Sequence, residues 1–92
     1  MIQFSVTVSN SKGFHLRPAS KLLQLVSGFE AAEVSLLHEE SGRSADCRNM
    51  MALMMMSSPQ GTEFKVHVNA ANEAEIQKDI TELFANGFGD ES

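Results

Sequence analysis

Residues 2–26 read IQFSVTVSNSKGFHLRPASKLLQLV and contain two different hydrophobic periods. Over residues 2–8 apolar and polar side chains alternate, which predicts a strand with one face on a core and the other face in water. Residues 10–13 are typical of a turn. From Ala19 to Val26 the apolar residues recur at i, i+3, i+4 and i+7, which predicts a helix over about residues 16–27. A half-polar strand followed by an amphipathic helix indicates a sheet that helices cover on one side.

The middle of the chain continues this pattern with two strands and a helix. Residues 33–38 and 43–47 predict strands that flank a turn at 39–42. Asn49 is a residue type that often begins a helix, and it precedes a run of Met, Ala and Leu, which are good helix formers. We therefore predict a short helix over residues 50–56, which ends before a Ser-Ser-Pro-Gln-Gly segment.

The last third of the chain adds one strand and one helix. Residues 63–68 alternate between polar and apolar as clearly as the first strand. Asn72 and Glu75 resemble a capping box in front of an apolar helical stripe that ends near Asn86. The order β-α-β-β-α-β-α predicts an α+β fold, an open-faced β-sandwich in which three helices cover one face of a four-stranded, mostly antiparallel sheet.

The composition of the chain limits its class. Its 92 residues, of which 42% are hydrophobic and 21% charged, are typical of one globular domain over residues 1–92. The net charge of −5 and the lack of clustered basic residues argue against nucleic-acid binding. The single cysteine, Cys47, excludes an internal disulfide and is typical of a reducing cytosol. Because no segment resembles a signal peptide or a membrane span, we expect a monomeric cytoplasmic protein that does not insert into membranes.

Residues 13–19 (GFHLRPA) combine side chains suited to phosphoryl chemistry. Pro18 is tolerated in the first turn of a helix, which places His15 at or just before the N-cap, beside backbone N–H groups that lack helical partners. The positive end of the helix dipole binds anions and favours a neutral, nucleophilic imidazole. The guanidinium of Arg17 suits a phosphoryl group. These residues predict a transient phosphohistidine, although a histidine that only caps the helix and a solvated arginine fit the same spacing.

This segment resembles the active-site motif of the HPr family, the histidine-containing phosphocarriers of the bacterial phosphoenolpyruvate-dependent phosphotransferase system. The resemblance covers the whole chain, through the order of elements and through residues 42–45 (GRSA) and 60–62 (QGT). It implies that enzyme I phosphorylates His15 on Nδ1 and that His15 passes the group to an enzyme IIA protein, with assistance from Arg17. Such a protein is a carrier rather than an enzyme that turns over a small molecule, and it uses no cofactor.

The resemblance leaves two branches of the family open. Residues 82–91 (ELFANGFGDE) are similar to the end of nitrogen-branch carriers. A nitrogen-branch carrier is therefore the leading interpretation, and a sugar-branch carrier is the alternative. Asn49 stands where many sugar-branch carriers have a serine that a kinase phosphorylates, and an amide cannot be phosphorylated. Leu16 is larger than the residue that often follows the active histidine. A purely regulatory binding module, in which His15 is not phosphorylated, is an alternative from a different functional class. The presence of both His15 and Arg17 argues against it.

The helix predicted after Asn49 contains five methionines within residues 50–56. Two helical turns cannot bury all of them, so Leu53 and one or two methionines are expected in the core. The others would form an exposed, adaptable apolar surface of the kind that docks several partners. We expect partner proteins to contact Leu16, Met50, Met51 and Met54.

The other potential metal ligands are dispersed along the chain. His38 lies near the turn at 39–42, His67 lies on the polar face of the fourth strand, and Cys47 lies near a strand end. Because this pattern brings no set of ligands together, we predict no metal site and expect Cys47 to be a small buried apolar residue.

Overall fold

The computed structural model describes residues 1–89, so the end of the 82–91 stretch lies outside the described residues. The elements follow the predicted order. They are β1 (Ile2–Thr7), α1 (Leu16–Ser27), β2 (Glu33–His38), β3 (Arg43–Asp46), α2 (Met50–Met54), β4 (Glu63–Asn69) and α3 (Glu73–Ala85), followed by a 3-10 turn at Gly87–Gly89. β3 and α2 end earlier than the sequence pattern predicts, because the chain turns directly after each of them. No helix within residues 1–89 has the length and apolar character needed to cross a membrane.

The four strands form one sheet in the order β1-β4-β2-β3, and every neighbouring pair is antiparallel. Val66 of β4 lies opposite Phe4 of β1 and Leu36 of β2, so these side chains share the face that the helices cover. Ser5 and Lys65 are paired on the other face, where Lys65 Nζ donates a hydrogen bond to Ser5 Oγ at 2.8 Å. The predicted open-faced α+β fold is therefore confirmed.

A cluster of four phenylalanines lies in the core between the sheet and the helices. Phe14, Phe64, Phe84 and Phe88 are all buried. The ring centroids of Phe14 and Phe64 lie 5.5 Å apart and those of Phe84 and Phe88 lie 4.7 Å apart, both edge to face, which is a favoured aromatic geometry. Since Phe14 precedes α1 and Phe88 belongs to the 3-10 turn, the cluster ties the start of α1 to the C-terminal part of the described chain.

The helices α2 and α3 begin in different ways. Asn49 has an extended backbone, and its Oδ1 accepts a hydrogen bond from the Ala52 N–H at 3.1 Å, so the predicted cap of α2 is confirmed. The capping box predicted at Asn72 is wrong, because the Asn72 side chain makes no capping hydrogen bond. Its ψ of 44° departs from the extended conformation that turns an N-cap side chain towards the first helical N–H groups.

Candidate phosphoryl-acceptor site

The chain reaches the candidate site through a tight turn at residues 10–13. Asn10 is buried, and its Nδ2 donates a hydrogen bond to the Gly13 carbonyl at 2.7 Å, while the Gly13 N–H donates to the Asn10 carbonyl at 3.1 Å. Gly13 has a φ of +80°, a conformation that favours glycine. A Cβ at this position would lie 2.3 Å from the Ser58 carbonyl oxygen. Glycine is therefore required both by the turn and by the close approach of the two chain segments.

Phe14, the residue directly before His15, is held by its backbone and by its side chain. Its N–H donates a hydrogen bond to the Ser58 carbonyl at 2.7 Å, and the Ser58 N–H donates to the Phe14 carbonyl at 3.0 Å. Its ring is 1% exposed within the phenylalanine cluster. Because both the backbone and the ring are fixed, the position at which the chain enters α1 is fixed as well.

His15 is the N-cap of α1, as the sequence predicts. Its backbone is extended, and its carbonyl accepts the first helical hydrogen bond from the Ala19 N–H at 2.9 Å. Its Nδ1 accepts a long hydrogen bond of 3.4 Å from the Arg17 backbone N–H. A neutral imidazole with Nδ1 as the acceptor carries its proton on Nε2, which is shielded from solvent. The lone pair of Nδ1 is therefore directed at the N-terminal end of α1.

The first turn of α1 contains no acidic side chain that would offset its positive potential. The free N–H groups and the helix dipole therefore act undiminished by a local carboxylate. Arg17 lies in that turn, two residues after His15, and its side chain is exposed. Pro18 follows it and is buried against the core. An anion attached to Nδ1 of His15 would meet backbone donors and a cation, which is the chemistry of a phosphoryl-acceptor site.

An apolar surface lies beside this site, because the Phe14–Ser58 backbone pair joins the start of α1 to the segment after α2. Met51 is 80% exposed, Met54 47% and Met55 71%, while Leu16 at the start of α1 is 58% exposed. We call these four residues the methionine surface. Four hydrophobic side chains with this exposure in one region are typical of a protein-binding surface.

The predicted partner contacts agree with this surface only in part. Leu16, Met51 and Met54 are exposed as expected, but Met50 is half-buried and packs against the core. Met55 is not among the contacts that the sequence predicts, although it lies four residues after Met51, at a spacing that places two residues on one face of a helix. The core residues of this segment are Leu53 and Met56.

The remaining candidate residues, His38, His67 and Cys47, do not come together in a metal site within the described residues. His38 Nδ1 lies 2.7 Å from Ser41 Oγ in the turn after β2, and His67 is half-buried on the open face of the sheet. Burial raises the pKa of the Cys47 thiol to about 12, with a smaller contribution from the Asp46 carboxylate. Among residues 1–89, no group of three or more potential ligands could hold a metal ion.

The comparison with protein families shows whether the chain belongs to the family that the motif at residues 13–19 indicates. The family model PTS-HPr, described as "PTS HPr component phosphorylation site", matches residues 2–86. The chain belongs to the PTS-HPr family. The family resemblance of the sequence is thereby confirmed over nearly the whole described chain.

Individual relatives of the family agree with this assignment. The chain is 34% identical over 90 residues to the phosphocarrier protein NPr of Escherichia coli, with 98% of both chains covered. It is 28% identical over 92 residues to the phosphocarrier protein HPr of Xylella fastidiosa, with 100% of both covered. Among solved structures, the crystal structure of HPr-C-His from Thermoanaerobacter tengcongensis matches with a TM-score of 0.86 and 25% identity, covering 100% of both chains.

Proposed function

We propose that this protein is a cytoplasmic, monomeric phosphocarrier of the phosphotransferase system, in which residues 1–92 act as a single HPr-like domain. In this proposal, His15 accepts a phosphoryl group from enzyme I and donates it to a IIA component. The observation that carries the proposal is the position of His15 as the N-cap of α1, with Nδ1 at the Arg17 backbone N–H. Membership of the PTS-HPr family supports the same role.

The transfer needs only groups that the site contains and the phosphoryl donor. The Nδ1 lone pair attacks the phosphorus atom, an N–P bond forms, and the bond between phosphorus and the donor group of enzyme I breaks with its electron pair. The proton on Nε2 is not transferred in this step, so the phosphorylated ring has a positive charge beside the negative phosphoryl oxygens. The long 3.4 Å hydrogen bond to Nδ1 is weak, so little is lost when the Arg17 N–H turns from the ring nitrogen to a phosphoryl oxygen. Donation to a IIA protein is the same step in reverse.

Arg17 has the role of a charge-stabilising partner in this proposal. Its exposed side chain, two residues from His15, can place a planar guanidinium against two phosphoryl oxygens at once. Because the side chain is exposed, it stabilises the transferred group without holding it as strongly as a buried arginine would. A carrier requires this balance, since the group must leave again.

The methionine surface is proposed as the docking site for both partners. Enzyme I and a IIA protein must each bring a reacting group to Nδ1, so each must bind around the start of α1. Exposed methionines are unbranched and polarisable, which allows one surface to pack against two different partners. Leu16, Met51 and Met54 are contacts that the sequence predicts, and Met55 is added because it is exposed. Met50, the fourth predicted contact, is half-buried and lies outside the methionine surface.

We propose the nitrogen branch as the relay in which the protein acts, with the sugar branch as the alternative. The higher identity to NPr of E. coli than to HPr of X. fastidiosa supports this choice. Asn49 supports it as well, because its amide caps α2 and provides no hydroxyl for a serine kinase. To test the branch, the phosphorylated protein is mixed with nitrogen-type and sugar-type IIA domains in one reaction. Faster labelling of the sugar-type domain would overturn the nitrogen-branch assignment.

The phosphocarrier role is tested by phosphoryl uptake from enzyme I and labelled phosphoenolpyruvate. We expect one phosphoryl group per chain on the unmodified protein and none on His15→Ala. His38→Ala is the matched control, because the His38 ring lies against Ser41 and Phe64, outside the candidate site at the start of α1. Uptake of one group by His15→Ala contradicts the assignment of the acceptor. No uptake by the unmodified protein favours the regulatory binding module instead.

A further inference from the structure

The methionine surface contains three exposed thioethers within five residues of chain. Met51, Met54 and Met55 extend from α2 and the turn after it into solvent, whereas Met56 in the same segment is 1% exposed. Leu16 supplies the rest of the surface and cannot be oxidised under mild conditions. The segment therefore combines three accessible sulfur atoms with a buried one that serves as an internal reference.

We propose that Met51, Met54 and Met55 form a reversible oxidation site, and that their conversion to sulfoxides weakens the docking of enzyme I and slows phosphoryl transfer to His15. This inference rests on the proposed phosphocarrier function. It adds a modification that connects the oxidant concentration around the protein to the rate of the relay.

The oxidation is a balanced two-electron reaction with a peroxide such as hydrogen peroxide. The lone pair of a thioether sulfur attacks one peroxide oxygen, an S–O bond forms and the O–O bond breaks. The departing hydroxide takes the proton from the oxygen now bound to sulfur and leaves as water, so the sulfur becomes a sulfoxide and the peroxide is reduced. Reductases specific for methionine sulfoxide reverse the modification.

A cysteine thiolate, the usual target of peroxide in a protein, is not available in this structure. Cys47 is fully buried, and its raised pKa keeps it as the thiol near neutral pH. Cys47 is also the only cysteine in the sequence. Exposed methionines are consequently the oxidisable side chains that a peroxide reaches first, and apart from Met1 those in the described chain lie on the methionine surface.

Oxidation changes the surface without a direct effect on the fold. The Met55 N–H donates to the Met51 and Ala52 carbonyls, and Arg43 Nη1 donates to the Met55 carbonyl at 2.7 Å, so this segment is held by its backbone. A sulfoxide instead places a strong hydrogen-bond acceptor on an apolar contact surface, where burial without a partner is unfavourable. We expect the dissociation constant for enzyme I to rise roughly tenfold for each oxidised methionine in the contact.

The test compares the protein with itself before and after hydrogen peroxide. Peptide mass mapping should show oxygen added to Met51, Met54 and Met55 well before Met56. The rate of phosphoryl uptake at limiting enzyme I should fall at least tenfold, and the dissociation constant from calorimetry should rise at least tenfold. Treatment with methionine sulfoxide reductases should restore both values. The matched variant carries Met51→Leu, Met54→Leu and Met55→Leu together, and its own rate should not change after peroxide.

Each other outcome overturns the inference. It fails if the trisulfoxide protein binds enzyme I and accepts phosphate as before, if Met56 is oxidised as fast as Met51, or if circular dichroism shows that oxidation unfolds the chain. Failure of the underlying function is distinguishable, because the untreated protein would then accept no phosphoryl group in the same assay.

Discussion

Phe14 and Ser58 exchange two backbone hydrogen bonds, with N–O distances of 2.7 and 3.0 Å. This pair is an isolated antiparallel bridge outside the four-stranded sheet. Phe14 directly precedes the candidate acceptor His15, and Ser58 follows the segment that carries the exposed methionines. The two backbone bonds therefore hold the reacting group and the proposed docking surface in one fixed arrangement, which a carrier with two successive partners requires.

Gly13→Ala should destabilise the protein by about 2 kcal/mol or more, because the positive φ and the 2.3 Å approach of the new Cβ to the Ser58 carbonyl act together. Gly42→Ala is the control, since Gly42 has a similar φ of +74° but no atom within 4 Å of the added Cβ, and it should cost about 1 kcal/mol. Urea denaturation measures both values. Equal losses would mean that the contact with Ser58 has no energetic role.

Arg17→Ala should lower the rate of phosphoryl transfer to His15 by roughly 10- to 100-fold, since one preorganised cation is removed from the developing phosphoryl charge. Arg17→Lys should recover part of the rate, because an ammonium keeps the charge but not the planar fork. Rapid-quench measurements with phosphorylated enzyme I give these rates. The melting temperature should change little, since an exposed side chain contributes little to stability even where it has a partner. An unchanged transfer rate in Arg17→Ala would remove Arg17 from the mechanism.

Met51→Glu should raise the dissociation constant for enzyme I at least tenfold, because a carboxylate would replace an apolar contact. The stability of the protein should change by less than about 0.5 kcal/mol, since Met51 is the most exposed residue of the methionine surface. Gln77→Glu adds the same charge to an exposed position of α3 and serves as the control. Calorimetric affinities that match for the two variants would show that Met51 does not contact the partner.

Asn49→Ala should destabilise the protein by about 1 kcal/mol, because Ala52 would lose the hydrogen bond that caps α2. Asn72→Ala is the matched comparison, since the Asn72 side chain makes no capping hydrogen bond at the start of α3. We expect its effect to be within about 0.5 kcal/mol of zero. Chemical denaturation of both variants distinguishes the two helix starts, and a larger loss in Asn72→Ala would contradict the geometry described for them.

Cys47 should make the stability fall with pH under alkaline conditions. The pKa of the thiol is raised to about 12 in the folded protein, while the unfolded thiol ionises near its usual value of 9.0. Between these values the unfolded chain binds fewer protons than the folded chain, so the free energy of unfolding decreases as pH rises. Between pH 7.5 and pH 10.5 the free energy of unfolding should fall by about 2 kcal/mol more for the unmodified protein than for Cys47→Ala. Denaturation at both pH values measures this difference. Equal decreases in the free energy of unfolding of the two proteins would mean that the thiol is in contact with water.

Much of this protein follows from interactions between residues close in sequence. The change of period between residues 2–8 and 16–27 is a local property, and it correctly predicts β1 and α1. His15 is likewise found at the N-cap because Pro18 restricts where the helix can begin. The motif around His15 is contiguous, so together with the order of elements it indicates the family that the match over residues 2–86 confirms.

Other features depend on segments that meet only after folding. The sequence period does not reveal that Gly13 faces the Ser58 carbonyl, because that contact spans more than forty residues. Nor does it separate Met55, which extends into solvent, from Met56, which is buried, since both are equally apolar and only the packing of α2 on the core distinguishes them. The capping box at Asn72 also fails: the residue types suit a cap, but the backbone of Asn72 in the folded chain is not extended and its side chain makes no capping hydrogen bond. Local chemistry thus indicates the candidate acceptor His15, whereas long-range packing specifies the surface that surrounds it.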